Sequence, residues 1–245
     1  ESLTREDLLA FYKKHFDLGG VRIFMAGKFG DDVLKHVDDV FGKVAVTVTN
    51  HDVKTFDIIQ AAEKKQHITN DADGVQGAIR IGRLFPNRHH EDFAPMVVLN
   101  TLFGGYFGSR LMSNIREEKG YTYGIYSGLS SYTHSGEITI QTEVGRDVVE
   151  PALKEIYHEM NVICNELADD EELLLVKNYL LGNLLGDLDG PFSILQRWRT
   201  LILNGMTIEN FNRNIRIYKS ITAQELQTLA QKYFDAKDFY EIVVI

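Results

Sequence analysis

Arg116 and Tyr123 are the side chains in this sequence whose types and spacing best suit joint chemistry. They lie seven residues apart in Ile115-Arg116-Glu117-Glu118-Lys119-Gly120-Tyr121-Thr122-Tyr123-Gly124. The stretch reads as a short helix stopped at Gly120, a natural residue just past a helix end, and then a strand rich in tyrosine. Arg116 falls in the last helical turn and Tyr123 just inside the strand, so the turn between them can bring guanidinium and phenol to one cleft edge. Both donate hydrogen bonds at neutral pH. Such a pair suits a peptide carbonyl, or the oxyanion that forms when water attacks it. On residue types alone a plainer arrangement is favoured: a surface arginine paired with Glu117 or Glu118, and a tyrosine packed on a sheet.

Other reactive residue types form incomplete sets. His89-His90-Glu91-Asp92 is dense in metal ligands, but it falls between a strand and a helix without the helical spacing that would make them converge. It reads as a solvated loop with Glu91 or Asp92 near a helix start. His134-Ser135-Gly136-Glu137 begins H-x-x-E-H but continues with Ile138, at a hairpin where residues four apart do not share a face. His158-Glu159 begins H-E-x-x-H and ends at Val162. No complete zinc site is therefore expected. G-x-S-x-G and G-x-x-x-x-G-K-[ST] are both absent. Gly104-Gly105-Tyr106-Phe107-Gly108 could cradle an anion, although a flexible helix connection is the favoured reading. Cys164, the single cysteine, continues the apolar pattern Ile156, Met160, Ile163, Leu167 and reads as a small core residue. One cysteine forms no intrachain disulfide and fits a reducing compartment without excluding a periplasm.

The elements that must hold Arg116 and Tyr123 follow from periodicity. A strand is expected near Thr55–Ile59, a turn at Asn70–Gly74, and an alternating strand over Val75–Leu84 with Val75, Gly77, Ile79 and Ile81 on one face. Glu91–Phe103 has helical spacing with Pro95 in its first turn, where it is tolerated. Ser109 can cap a short helix running through Glu118. Tyr121–Ser130 and Gly136–Val144 read as a hairpin. Helices follow over Asp147–Leu167, Asp170–Leu188, Pro191–Leu203 and Ile208–Lys219, then a last helix and strand. Strands first, several helices, then a closing strand indicate an α+β fold: a mostly antiparallel sheet with helices packed on one face.

A repeat divides the chain. Ser2-Leu3-Thr4-Arg5-Glu6-Asp7-Leu8 leads through Phe11, Tyr12 and His15-Phe16-Asp17 to the apolar run Val21–Met25. Ser220-Ile221-Thr222-Ala223-Gln224-Glu225-Leu226, 218 residues on, leads through Leu229 and Tyr233-Phe234-Asp235 to Tyr240–Ile245. Thr222/Glu225 matches a capping box, and Thr4/Asp7 matches it loosely. Each copy predicts a helix, a turn and a strand in that order. A period near 200 residues is too long for a solenoid and suits two homologous domains in tandem. Residues 1–48 are accordingly expected to be the C-terminal helix–strand tail of one domain, and 49–245 a second domain.

Leu102-Phe103-Gly104-Gly105, Ser109-Arg110-Leu111, and Arg116 with Lys119-Gly120 and Tyr123 resemble the second half of the pitrilysin, insulin-degrading enzyme and mitochondrial processing peptidase superfamily. The surroundings agree: Thr4–Gly27 is similar to the family's helix-then-strand lead-in, and Asp170-Glu171-Glu172-Leu173 with Lys177 to a later helix. The resemblance runs over most of the chain. It implies a substrate-side domain of a zinc endopeptidase in which two homologous halves, fused or dimeric, enclose a peptide substrate. The facing half would supply H-x-x-E-H and a distal glutamate, so the zinc would be bound by another domain or subunit and none by this chain. Arg116 and Tyr123 carry over as the substrate-contacting pair, and no zinc ligand or general base carries over. Other relatives are non-catalytic peptide-binding or structural subunits, which is the second reading.

Composition limits the remaining classes. Lys and Arg number 26 against 35 Asp and Glu, a net charge of −9, which leaves nucleic acid without an electrostatic footprint. No apolar run approaches the roughly 18 residues of a membrane span. The start at Glu1 without methionine or a signal-like stretch is expected of a processed or excised chain, and it leaves cytoplasm and periplasm equally open.

Overall fold

The computed structural model describes residues 2–15, 21–43 and 57–245. It contains two compact units, residues 1–57 with 187–200, and residues 58–186 with 201–245. The boundary expected near residue 48 lies outside the described residues.

The second unit is built on a five-stranded sheet: β1 (Lys65–Ile68), β2 (Gln76–Phe85), β3 (Thr122–Ser131), β4 (Gly136–Gly145) and β5 (Tyr240–Val244), in the order β1-β5-β2-β4-β3. All pairings are antiparallel except β1 with β5. Strand alternation explains the layering. Ile79, Ile81, Ile125, Ile138, Ile140, Val144 and Val243 are buried on one face, while Leu84, Tyr126 and Ile242 are exposed on the other. Helices cover the buried face: α3 (Phe93–Asn100), α4 (Val149–Asn165), α5 (Asp170–Gly186), α7 (Ile208–Ser220) and α8 (Ala223–Tyr233). Leu99, Leu102, Phe103, Ile156, Met160, Leu226 and Ala230 fill the core between the layers. The sheet is therefore mixed but mostly antiparallel, and the α+β expectation holds.

The first unit contains α1 (Arg5–His15), α2 (Asp31–Val37) with a π-helical turn over Asp38–Gly42, and the greater part of α6 (Gly190–Leu203). Neither α1 nor α2 has a buried residue.

Two expected strands are corrected. Thr55 and Phe56 lie outside the described residues, and Asp57–Gln60 are irregular, with Ile58 and Ile59 exposed. The strand starts later, at Lys65, where the chain reaches the free edge of β5. Val21–Met25 is also irregular. A strand needs a hydrogen-bonded neighbour, and the described residues of that unit supply none. The capping boxes form as read, and the loose one forms too. Thr222 N donates to Glu225 Oε2 at 2.8 Å and Glu225 N to Thr222 Oγ1 at 3.2 Å. Thr4 N donates to Asp7 Oδ2 at 2.9 Å and Asp7 N to Thr4 Oγ1 at 3.2 Å. A third box, Thr207 with Asn210, opens α7.

Candidate functional site

Arg116 lies on a π-helical segment, Met112–Glu118, that follows a turn at Tyr106–Ser109. Leu111, Met112 and Ile115 are buried and fix its inner face. Its outer attachments are polar. Arg110, just before it, makes a two-pronged contact with Glu172 of α5 at 2.7 and 2.8 Å. Asn114 Nδ2 donates to Glu155 and Glu159 of α4 at 3.1 and 2.7 Å. The hydrogen bonds that Arg110 donates to Glu172, together with the charge of that carboxylate, raise the Arg110 pKa against the opposing effect of burial. The segment ends as expected at Gly120, whose φ of 66° is left-handed. Lys119 N bonds Asn114 O and Tyr121 N bonds Ile115 O, closing the helix end.

The chain then enters β3 through a bulge. Thr122 pairs with Val144 and Ile125 with Thr142, so β3 carries one residue more than β4 over that span. A bulge re-aims the side chain at the extra residue, and here that side chain is Tyr123, 98% exposed. Hydroxyls fasten the irregularity. Thr122 Oγ1 accepts from Gly124 N at 3.1 Å and contacts Glu143 O at 2.7 Å, and Thr142 Oγ1 lies 2.9 Å from Thr122 Oγ1 and 3.0 Å from Gly124 O. Ile125 N, displaced from the regular ladder, points at Met112 Sδ at 3.4 Å.

Helix end and bulge meet through Arg116, whose Nε donates to the Tyr123 carbonyl at 3.1 Å. Its guanidinium lies over the Phe107 ring at 4.7 Å, and Nη1 is 3.7 Å from Glu117. Arg116 is thus tied to the main chain of Tyr123, through the carbonyl and not the phenol. Beside Tyr123 the open face of the sheet holds a polar depression of about 330 Å³, lined by Arg80, Tyr126, Gln141 and Glu143 among others. An apolar groove of about 580 Å³ also includes Arg80 and Gln141 and continues to Leu84, Tyr240 and Ile242.

Two sequence readings change at the site. Ser109 is buried but its hydroxyl has no hydrogen-bond partner among the described residues, so it does not cap the segment. Gly104 and Gly105 lie within the π-helical segment Thr101–Gly105 and are not a flexible link, and Gly104 marks a close approach. A Cβ on Gly104 would stand 2.6 Å from Ser127 Oγ and 2.8 Å from Ser127 N of β3. The contribution of Phe107 was not legible, because a ring followed nine residues later by an arginine has no fixed spatial meaning without the intervening turn.

The histidine fragments stay apart. His90 Nδ1 accepts from Asp92 N at 3.1 Å, and Asp92 itself accepts from Lys232 and Tyr233, both at 2.6 Å. Among the described residues no three of His, Cys, Asp or Glu come together as a metal site. The donors among the described residues do not fit a zinc ion.

The sequence profile of the peptidase M16 inactive domain matches residues 2–180. The chain belongs to that family. An M16 inactive domain is consistent with the resemblance to the pitrilysin and insulinase group. An uncharacterized zinc protease of Bacillus subtilis is 27% identical over 196 residues, 80% of this chain and 47% of the relative. An uncharacterized zinc protease of Rickettsia felis is also 27% identical, over 75% of this chain and 43% of its own length. The chain thus spans about half the length of these curated relatives. The crystal structure of a peptidase M16 inactive domain from Pseudomonas fluorescens superposes with a TM-score of 0.81 at 21% identity, covering 99% of this chain and 58% of that one. A protease from Helicobacter pylori gives a TM-score of 0.83 at 13% identity, over 100% and 60%. At these identities the two structures establish the shared M16-type fold.

Proposed function

We propose that this M16 domain is the substrate-side half of a zinc-dependent endopeptidase, and that Arg116 and Tyr123 are its substrate contacts. The observation that carries this is the anchoring of Arg116 Nε on the Tyr123 carbonyl beside a phenol that stands 98% in solvent. Two donors held at one rim can take a peptide carbonyl and strengthen their hold as charge develops on its oxygen. A zinc ion in a homologous domain, on the same parent chain or on a partner subunit, would supply the Lewis acidity for hydrolysis. The zinc-protease names of the relatives and their roughly twofold greater length support such a second domain. So does α1: Leu8, Phe11 and Tyr12 occupy the repeat positions of Leu226, Leu229 and Ala230, which are buried in α8, yet all three are exposed. Residues 1–48 then close that neighbouring domain, and 49–245 form the substrate-side one.

The test is turnover of a peptide by the full-length protein. Arg116→Ala and Tyr123→Phe should each lower kcat by about 10²–10³, with an unchanged melting temperature because neither side chain is buried. Undiminished kcat in the double variant removes the pair from catalysis. A second reading, a non-catalytic peptide-binding subunit, is supported by the family's description as an inactive domain. An H-x-x-E-H helix in the rest of the full-length protein favours the enzyme. Its absence there and from any co-purifying subunit, with peptide binding retained, favours the subunit.

A further inference from the structure

We infer that Phe107 is a positioning residue for Arg116, holding the guanidinium in the plane from which it meets the peptide; this rests on the proposed role of Arg116. Phe107 is 59% exposed on a tight turn, and its ring lies beneath the Arg116 guanidinium. The turn itself is fastened at several points. Ser109 N closes it on Tyr106 O at 3.2 Å, Ser109 is buried, and the Tyr106 ring packs on Tyr179 of α5 at 4.9 Å between centroids. Gly108 is needed there, because a Cβ would stand 2.9 Å from the Tyr106 ring. Phe107 is thus the one side chain of the turn that projects from a fixed base toward Arg116.

The guanidinium has three attachments. Nε is committed to the Tyr123 carbonyl, the cation lies over the Phe107 ring at 4.7 Å, and Nη1 faces Glu117 at 3.7 Å. Nη2 has no partner among the described residues. One hydrogen bond at Nε leaves the group free to rotate about its attachment. An aromatic face beneath the cation restricts that freedom, because a cation is drawn to the ring face. The free Nη2 edge is then presented in one orientation. An aliphatic residue of similar bulk would fill the space without offering a π face.

Phe107→Leu and Phe107→Tyr in the full-length protein, each with Arg116 intact and with Arg116→Ala, test this. Phe107→Leu should lower kcat about three- to tenfold with little change in KM, and Phe107→Tyr should retain most of the activity. In the Arg116→Ala background Phe107→Leu should add nothing further, because its effect runs through the guanidinium. Binding of an unlabelled peptide to the metal-depleted protein, followed calorimetrically, should be little changed by Phe107→Leu, whereas a ring that contacts substrate directly would weaken it. Equal losses from Phe107→Leu in both backgrounds would mean that the ring contacts substrate or supports the fold on its own, and the inference fails. It fails equally if Phe107→Tyr is as damaging as Phe107→Leu. An Arg116→Ala variant with full turnover overturns the reading of the site itself, whereas a costly Arg116→Ala beside a harmless Phe107→Leu overturns this inference alone.

Discussion

Tyr123 stands in solvent because β3 has one residue too many opposite β4 at that point. Such an extra residue would be lost to slippage or disorder without something to hold it. Thr122 and Thr142 perform that task with two hydroxyls, each with a single proton to donate. Thr142 is buried, so its Oγ1 has no water to replace Thr122 and Gly124. Thr142→Val keeps the shape and removes the bonds, and it should cost about 1–2 kcal/mol in urea denaturation. Its kcat on a peptide should fall further than that loss of stability explains, since the Tyr123 carbonyl also anchors Arg116. A Thr142→Val protein with wild-type stability and turnover would mean that the backbone alone defines the bulge. Arg116 and Tyr123 were legible in the sequence as residue types at a suggestive spacing. The bulge was not, because it depends on register with β4, twenty residues away.

At the scale of elements, periodicity revealed the long pieces and missed those defined by contact. The Val75–Leu84 alternation became β2, the Gly136–Val144 alternation became β4, and the amphipathic stretches became α4, α7 and α8. The π-helical segments over Thr101–Gly105 and Met112–Glu118 were legible only as helix ending at Phe103 and as a short helix through Glu118, because wider winding has no composition of its own. β1 was misplaced for the same reason: four exposed residues form a strand only because β5 offers an edge. Its fastening can be measured. Glu241 of β5 is 2% exposed and accepts from Tyr157 at 2.6 Å and Lys65 at 3.1 Å, with His67 Nε2 at 2.9 Å and Glu150 beyond it, 3.6 Å from His67 Nδ1. Burial pushes its carboxyl up, but the bonds from Tyr157, His67 and Lys65 and the charge of Lys65 outweigh it and leave the pKa below the ordinary glutamate value. A depressed carboxyl stabilises the fold above its unfolded pKa of about 4.3, and that contribution is lost as pH falls through the folded value. Glu241→Gln should therefore be less stable than wild type at pH 7, by about 1.5–3 kcal/mol, and the gap should narrow from about pH 4.3 downward. A gap constant down to acid unfolding would show that the ionised carboxylate does not hold this edge.

For the whole molecule the decisive contrast is between two copies of one helix. α8 turns Leu226, Leu229 and Ala230 into the core of its sheet, and Leu226 is 2% exposed; at the matching position of α1, Leu8 is 61% exposed. The two helices open with the same reciprocal cap, so local sequence forms both of them equally well. What differs is burial, since no sheet covers the apolar face of α1 among the described residues. An isolated helix of eleven residues is marginal in water, and its stability in a protein comes from packing its apolar face. The repeat therefore makes a prediction about α1 that α8 calibrates. In the 245-residue chain, Leu226→Ser should cost about 2–4 kcal/mol because it empties a filled core site, and Leu8→Ser should leave thermal unfolding unchanged. In the full-length protein, where the proposed homologous domain is present, Leu8→Ser and Phe11→Ser should become destabilising to a comparable degree. If both stay neutral there, α1 is a solvent-facing helix and the tandem-domain reading of residues 1–48 fails, whatever the peptidase assay shows. If both become costly, the apolar face of α1 is buried in the full-length protein as that of α8 is here, and residues 1–48 complete a neighbouring domain.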